Sequence, residues 1–424
     1  MLLKDCTYRR WLFVILSFSL LLRLGVALYL GDVVDAPPLM SDQRSYHALG
    51  VSLISGRGFS FEQGWYPFTL PHTPTAHWSF LYPLFVAAVY GLFGIHPLAV
   101  RLTQAVLGGI LLPWMVYRLA QRLFPKWDRV ALLAAGLTAC YGYFILFAAT
   151  LMTETFYIVL VLWSLEVSLR LARAWHDGEP VPWLWALELG LSLGLAALMR
   201  QSILPWVPIL FLTLLMSHRS NTRILWRTRI GALALASVVM LACILPWTVR
   251  NYRVYGEFLL LNSNTGYAMY SAQHPMHGMT FHEYAAAPLP SDLRGLNEAQ
   301  MDRILLRRGL QFVLDDPGRY LRLCLSRLRA YLEFWPSRDT IPLHNIGRVV
   351  SFGLYLPFIL YGYYLAFRRH LLGQGNWLIP LFVVTYSLMH ILTWAMVRYR
   401  LPTDAASMPF AALGLANLLD RLRT

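Results

Sequence analysis

Charge is scarce in this chain. Only 14% of its 424 residues are Asp, Glu, Lys or Arg, against about 25% in an ordinary soluble domain. With 57% hydrophobic residues and a mean hydropathy of +0.49, one water-soluble core is excluded, and lipid must cover the apolar excess. Lysine is almost missing, at Lys4 and Lys126 alone, so the formal net charge of +14 is an arginine charge. Those arginines sit in short clusters between apolar runs. That pattern sets nucleic acid aside and fits positive-inside membrane topology. Cysteine is rare, at Cys6, Cys140, Cys243 and Cys324. The topology below leaves only Cys324 outside, so no intramolecular disulfide is expected. There is no P-loop or Rossmann glycine fingerprint, which removes the nucleotide pockets those motifs build. There is no internal repeat and no low-complexity segment. A cleavable signal peptide is not evident: Trp11 to Leu30 is too long for its apolar region and reads as a first span.

What is present is a series of apolar runs near the length of about 20 residues that a bilayer requires. Lys4, Arg9 and Arg10 put the N-terminus in the cytoplasm, so span 1 (11–30) exits. A polar, Gly/Pro-rich stretch follows from Gly31 to about Trp78. The next run, Ser79 to Phe93, is short, contains Pro83 and ends at Gly94. Were it to cross, the cluster Arg118, Arg122, Lys126, Arg129 would land outside. It therefore reads as an interfacial helix, and the first outer loop spans 31–100. Parity then runs through spans 2 (101–123), 3 (130–150), 4 (155–173), 5 (183–199), 6 (202–217) and 7 (230–248). A polar stretch from Arg250 to Asn345 comes next, then spans 8 (347–367), 9 (377–396) and 10 (402–418). The basic loop His218–Arg229 and the groups Arg368, Arg369, His370 and Arg421, Arg423 all fall inside. The expected fold is an all-α polytopic bundle of about ten spans, with both termini cytoplasmic and an outer face that fits the periplasmic side of a bacterial inner membrane. Its expected parts are a transmembrane module (1–249), an outer loop region (250–345) and C-terminal spans (346–424). Within the loop, Gly256 to Pro290 reads as irregular. Asn297 to Phe334 reads as two amphipathic helices broken at Asp316-Pro317-Gly318.

Several charges break the positive-inside rule. Arg200, Arg250, Arg253, Arg398 and Arg400 fall at outer span ends, and Arg23 lies within span 1. Snorkelling to lipid phosphates explains any one of them. As a set they favour an anion site at headgroup depth, since arginine reads phosphate with a planar fork. Acids on the same face are few: Asp32, Asp35, Asp42 and Glu62 in the first loop, Glu154 between spans 3 and 4, and Glu257, Glu283 and Asp292 in the large loop. A carboxylate among arginines can act as base for a hydroxyl. Asp42 opens a short helix with Tyr46 at i+4 on the same face, which fits a helix cap as well as a site. Glu154, in Met152-Thr153-Glu154-Thr155, carries the same ambiguity. His72 and His77 with Asp42 or Glu154 leave room for a divalent metal, although no metal-ligand spacing is present.

In order along the chain, these residues resemble the GT-C superfamily of polyprenyl-phosphate-dependent glycosyltransferases. The branch they resemble is that of the dolichyl-phosphate-mannose protein mannosyltransferases and lipid A aminoarabinose transferases. Asp42-Gln43-Arg44-Ser45-Tyr46, followed by Gly56-Arg57-Gly58-Phe59, is similar to the family's first-loop acidic motif. His77 to Gly94 resembles its juxtamembrane helix, and Arg101 to Phe124 the helix after it. Glu154 matches the second acidic position. Ala197-Leu198-Met199-Arg200, Pro246-Trp247-Thr248-Val249-Arg250-Asn251-Tyr252 and Arg398-Tyr399-Arg400-Leu401-Pro402 resemble recurrent segments. Two departures stand out: the usual acidic pair is Asp42-Gln43, and the usual Pro-Pro is Trp78-Ser79.

The resemblance implies inverting transfer of a sugar from a polyprenyl-phosphate donor to a hydroxyl of a glycan, lipid or protein acceptor. Asp42 would be the general base, and Glu154 would shape the acceptor or metal region. Arg200, Arg398, Arg400 and Arg250 would neutralise the donor phosphate. Tyr46, His77 and Tyr82 would line the substrate space. It fixes no cofactor and leaves a divalent metal open. Two other classes use similar features: a lipid or anion transporter, and an oligosaccharide polymerase or ligase. The first loop with Asp42 favours the transferase.

Overall fold

The computed structural model describes residues 2–35, 40–216, 223–282, 285–337, 342–373 and 375–422. Glu283, Arg423 and residues 218–222 of the basic loop lie outside these. Helices dominate: among the described residues, strand pairing is limited to isolated bridges in the first loop, Ser60 with Pro74 and Trp65 with Thr69.

The first half comprises α1 (Leu2–Leu30), α2 (Asp42–Ile54), α3 (Leu81–Phe93), α4 (Pro97–Leu123), α5 (Asp128–Cys140), α6 (Gly142–Ala148), α7 (Glu154–Asp177) and α8 (Trp183–Met199). The second half comprises α9 (Trp206–Met216), α10 (Arg223–Tyr255), α11 (Thr265–Gln273), α12 (Glu298–Asp315), α13 (Pro317–Tyr331), α14 (Pro342–Arg348), α15 (Leu354–Arg368), α16 (Leu378–Leu392) and α17 (Leu401–Arg421). Five helical stretches are long and apolar enough to span a bilayer, or six if the bent pair α5–α6 counts as one. The chain is a multi-pass integral membrane protein. The expected spans 5, 6 and 9 appear as shorter apolar helices. The expected span 10 is α17, whose buried Thr403, Asp404 and Ser407 interrupt its apolar run.

Side-chain contacts sort the helix ends into two groups. At one end, Arg101 of α4 bonds the carbonyls of Val33 and Ala149, and Asp32 accepts from the Leu98 amide. At the other, Asn376 bonds the carbonyl of Leu123 and Arg173 reaches Asn376. Both ends of α3 lie at the first end: Tyr82 donates to Gln104 at 2.7 Å, while Tyr90 bonds His47. That is why α3 does not disturb the alternation of the later helices.

Close packing uses small residues, as bilayer helices do. A Cβ on Gly362 of α15 would stand 1.8 Å from the Phe410 carbonyl of α17, and one on Gly190 of α8 would stand 2.4 Å from the Ala236 carbonyl of α10. Arg23 turns out to be structural. The 60° bend between α5 and α6 strands carbonyls at the end of α5, and Arg23, fully buried, donates to those of Thr138 and Ala139.

Residues of the two long polar stretches share a small core, built on Phe68 from the first and Tyr267, Tyr270, Leu293, Met301 and Leu305 from the second. The helix pair α12–α13 starts and breaks where its caps dictate. Asn297 and Gln300 form a capping box. Asp316 accepts from the Arg319 amide at 2.8 Å, with Pro317 at the first helical position. Two expectations need correction. The stretch 256–290 is not wholly irregular, because α11 forms where Gly266 lets its backbone meet that of Asp302. The helix of span 7 also runs on to Tyr255. Cys140, Cys243 and Cys324 are free thiols.

Candidate functional site

Asp42 is the first residue of α2, with Ser41 at the cap position and no side-chain cap bond. The capping alternative therefore does not hold for its carboxylate. Asp42 Oδ2 instead accepts from Arg398 Nη1 at 2.7 Å. Arg398 comes from the 3-10 turn Val397–Arg400 that leads into α17. The same guanidinium approaches Glu154 Oε1 at 4.0 Å. Glu154 begins α7, where a carboxylate suits the positive end of the helix dipole. It accepts from Arg200 Nη2 at 2.8 Å, and Arg200 Nε donates to Thr153 Oγ1 at 2.9 Å. Arg200 follows α8 on an extended residue, φ −154° and ψ 116°, which swings its side chain across to α7. Tyr399 unites the two cations, its ring centroid 5.2 Å from Arg200 and 5.3 Å from Arg398.

Four charges thus alternate, Asp42, Arg398, Glu154, Arg200, drawn from four separated parts of the chain. Their burial differs. Glu154 is 2% exposed and its Oε2 has no partner among the described residues, whereas Asp42 is 24% exposed. Asp42 and Arg398 open onto a cavity of ≈ 120 Å³ whose other walls include Met40, Tyr143, Met152, Arg348 and Met396. Gln43, standing where the family has its second acid, is committed to the fold: buried, it accepts from Arg101 at 3.2 Å and from the Leu151 amide at 3.0 Å. Those bonds tie α2 to the turn that carries Glu154.

The expected substrate-lining residues lie behind this row. Tyr46 is buried with its ring 4.8 Å from that of Tyr82 and 5.7 Å from Trp78. Burial, then the nearby Asp42, push its hydroxyl above the usual phenol range, so it stays a neutral donor. His77 is half-buried, its ring edge-on to those of Phe68 and Trp78. Burial pushes its imidazole below the usual range, against the pull of Glu298.

Two of the expected phosphate ligands are elsewhere. Arg400, two residues from Arg398, points the opposite way. It bonds Asp404 at 3.1 Å and the Tyr331 carbonyl, with its guanidinium 3.5 Å from the Phe352 ring centroid. Arg250 bonds Asn251 at 3.0 Å and lies near the rings of Phe59 and Phe80. The structure does not bring either into the row with Asp42: each is held by its own neighbours. Sequence reasoning missed Arg348 and Thr153. Arg348 looked like the edge of an apolar run, and Thr153 carried no charge to mark it.

A divalent metal would have to displace a guanidinium to use either acid of this site. Asp42 and Glu154 are each held by a guanidinium, with Arg398 between them. Among the described residues, no group of three or more His, Cys, Asp or Glu converges to hold an ion.

Comparison with known proteins bears on this geometry. The family model for dolichyl-phosphate-mannose-protein mannosyltransferase matches residues 75–249. The oligosaccharyltransferase of Archaeoglobus fulgidus, solved with a tethered acceptor peptide, superposes with a TM-score of 0.60 at 15% identity, over 97% of this chain and 50% of that one. The chain has the GT-C fold. It spans about half the length of that oligosaccharyltransferase, AglB, which has also been solved with an inhibitory peptide and a dolichol-phosphate, again at TM-score 0.60 and 15% identity, over 98% and 51% of the two chains. ArnT of Cupriavidus metallidurans, bound to undecaprenyl phosphate, aligns over 96% of this chain and 78% of its own at 15% identity, with a TM-score of 0.43. No curated protein sequence matches the chain.

Proposed function

We propose that this protein is a membrane glycosyltransferase that moves a sugar from a polyprenyl-phosphate donor to an acceptor hydroxyl, inverting the anomeric carbon. The observation that carries this reading is the Asp42–Arg398 pair opening on a cavity at one end of an apolar helical bundle. It is supported by the mannosyltransferase match over residues 75–249 and by the dolichol-phosphate in the AglB structure. A lipid-linked donor brings its own anchor, so a lateral opening replaces a nucleotide pocket.

In this reading Asp42 takes the proton of the acceptor hydroxyl as its oxygen attacks the anomeric carbon. The bond from that carbon to the phosphate oxygen breaks, and its electron pair leaves with the phosphate. Arg398 and Arg200 stabilise that charge, preorganised by their acids and by Tyr399. Glu154 Oε2 offers a buried acceptor to a sugar hydroxyl. No step needs a metal. The site end is extracytoplasmic, since the other end gathers Arg118, Arg122, Arg129, Arg170 and Arg173. In a bacterium that places the chemistry on the periplasmic face of the inner membrane.

The test is turnover in reconstituted vesicles with a polyprenyl-phosphate-linked sugar. Asp42→Asn should lower turnover about 10²–10⁴-fold while the protein still inserts and folds. Turnover close to wild type in that variant would remove Asp42 as the base.

A further inference from the structure

Of the four charges in the row, Asp42 and Arg398 line the cavity. The same lining carries another guanidinium that the mechanism above does not use. Arg348 ends α14 and lines the same cavity as Asp42 and Arg398. It is 4% exposed and pairs with Glu333 Oε2 at 3.1 Å. Its placement is well supported. The Tyr143 hydroxyl donates to the His344 carbonyl at 3.3 Å, and the Tyr143 amide donates to Ser351 Oγ at 3.0 Å. A Cβ on Gly347 would meet the Tyr143 ring at 3.2 Å, so α14 lies flat against α6. Directly after Arg348 the helix widens into a π turn, Val349–Gly353. Such turns recur at functional sites, where they re-aim a side chain.

We propose that Arg348 is a second donor-binding residue, meeting the phosphate of a polyprenyl-phosphate sugar in the cavity it shares with Arg398. This deepens the transferase reading and rests on it. Both arginines border one small space, and each is paired with an acid, Asp42 and Glu333. A phosphate between them would meet two planar forks rather than one. The remaining walls suit a lipid-linked ligand. Met40, Met152 and Met396 are adaptable apolar surfaces that can follow a prenyl chain. Glu333 balances the Arg348 charge without touching the donor, and the packing of α14 on α6 holds the guanidinium in place.

The experiment uses the full chain in vesicles, with a sugar-free polyprenyl phosphate as competitor against the lipid-linked sugar. Arg348→Gln should raise both the donor KM and the inhibition constant of polyprenyl phosphate at least about tenfold, the scale of one lost charge-assisted contact. Arg348→Lys should fall between, because it keeps charge and loses the fork. Glu333→Gln removes the ion pair but leaves the guanidinium, and should change either constant little. If Arg348→Gln and Glu333→Gln weaken donor use alike, Arg348 is a strut and the proposal fails. It also fails if Arg348→Gln leaves the donor KM at the wild-type value. In either case the transferase reading stands as long as Asp42→Asn abolishes turnover. If the wild-type protein uses no polyprenyl-phosphate sugar, that reading falls first.

Discussion

The two ends of the bundle use the same residue types in opposite ways. At the end away from the cavity, one buried carboxylate, Glu166, gathers three arginines: Arg118 at 3.0 Å, Arg122 at 2.9 Å and Arg170 at 2.9 Å. Arg170 also bridges to Glu188. Glu166 is 1% exposed, and both its oxygens are engaged. At the cavity end the acids are matched nearly one to one with arginines, and Asp42 keeps part of its carboxylate on an open space. A saturated buried acid is a clamp that holds α4, α7 and α8 together. An acid with one partner and an accessible face can exchange that partner for a ligand or accept a proton. Salt bridges alone do not mark a site; stoichiometry and access do.

The sharpest way to break this contrast is to neutralise the acid at each end. Glu166→Gln leaves three guanidiniums around a buried uncharged amide; Arg118 and Arg122 reach solvent and Arg170 keeps Glu188, so the cost should be about 1–3 kcal/mol. It should appear as a drop in the thermal unfolding midpoint in detergent, with the surviving folded fraction turning over normally. Asp42→Asn should do the reverse, losing chemistry while its unfolding midpoint stays near that of the wild type. If Glu166→Gln instead lost turnover at unchanged stability, the clamp and the site would have been assigned to the wrong ends.

Much of this was legible in the sequence. The basic clusters Arg118, Arg122 and Arg170, Arg173, which alternation put at one face, do gather at one end of the bundle, as expected where lipid tolerates few errors in charge placement. Arg200 and Arg398 could be picked out as cations on the disfavoured side, and Asp42 and Glu154 as the few acids beside them, and the four do converge. Arg400 obeyed the same rule and yet belongs to the fold. Two residues apart on a tight turn, side chains diverge, and only the positions of Asp42 and Asp404 decide which one faces the cavity. Arg348 was hidden because it borders an apolar run, where a charge reads as a span boundary. Its partner Glu333 lies across a polar stretch whose path the sequence does not reveal. The helix α11 was missed because its nine residues mix small and aromatic types, and it is held by its packing against α12 rather than by its own periodicity.

The diverging pair gives the next test. Arg398→Lys should raise the donor KM by about tenfold, because the single ammonium loses the fork that phosphate prefers. Arg400→Lys should leave the donor KM unchanged. It should lower stability, since Arg400 bonds Asp404 and the Tyr331 carbonyl and stacks on Phe352. Donor titration and unfolding of the same two preparations separate the outcomes. Equal effects on KM would return Arg400 to the site.

The smallest expected effect is that of removing divalent ions. Asp42 Oδ2 lies 2.7 Å from Arg398, and Glu154 Oε1 lies 2.8 Å from Arg200. A hard dication needs about six oxygen ligands and would have to displace at least one of these guanidiniums to use either acid. Displacing Arg398 would remove a cation that the departing phosphate needs, so a metal would substitute for the arginines rather than add to them. A chelator added to purified enzyme should therefore leave the initial rate unchanged, and added magnesium or manganese should not raise it. A loss on chelation that either ion restores would mean that Arg398 leaves Asp42 when the donor enters. The cavity-end pairs would then be resting contacts that open during turnover, in contrast to the permanent clamp around Glu166.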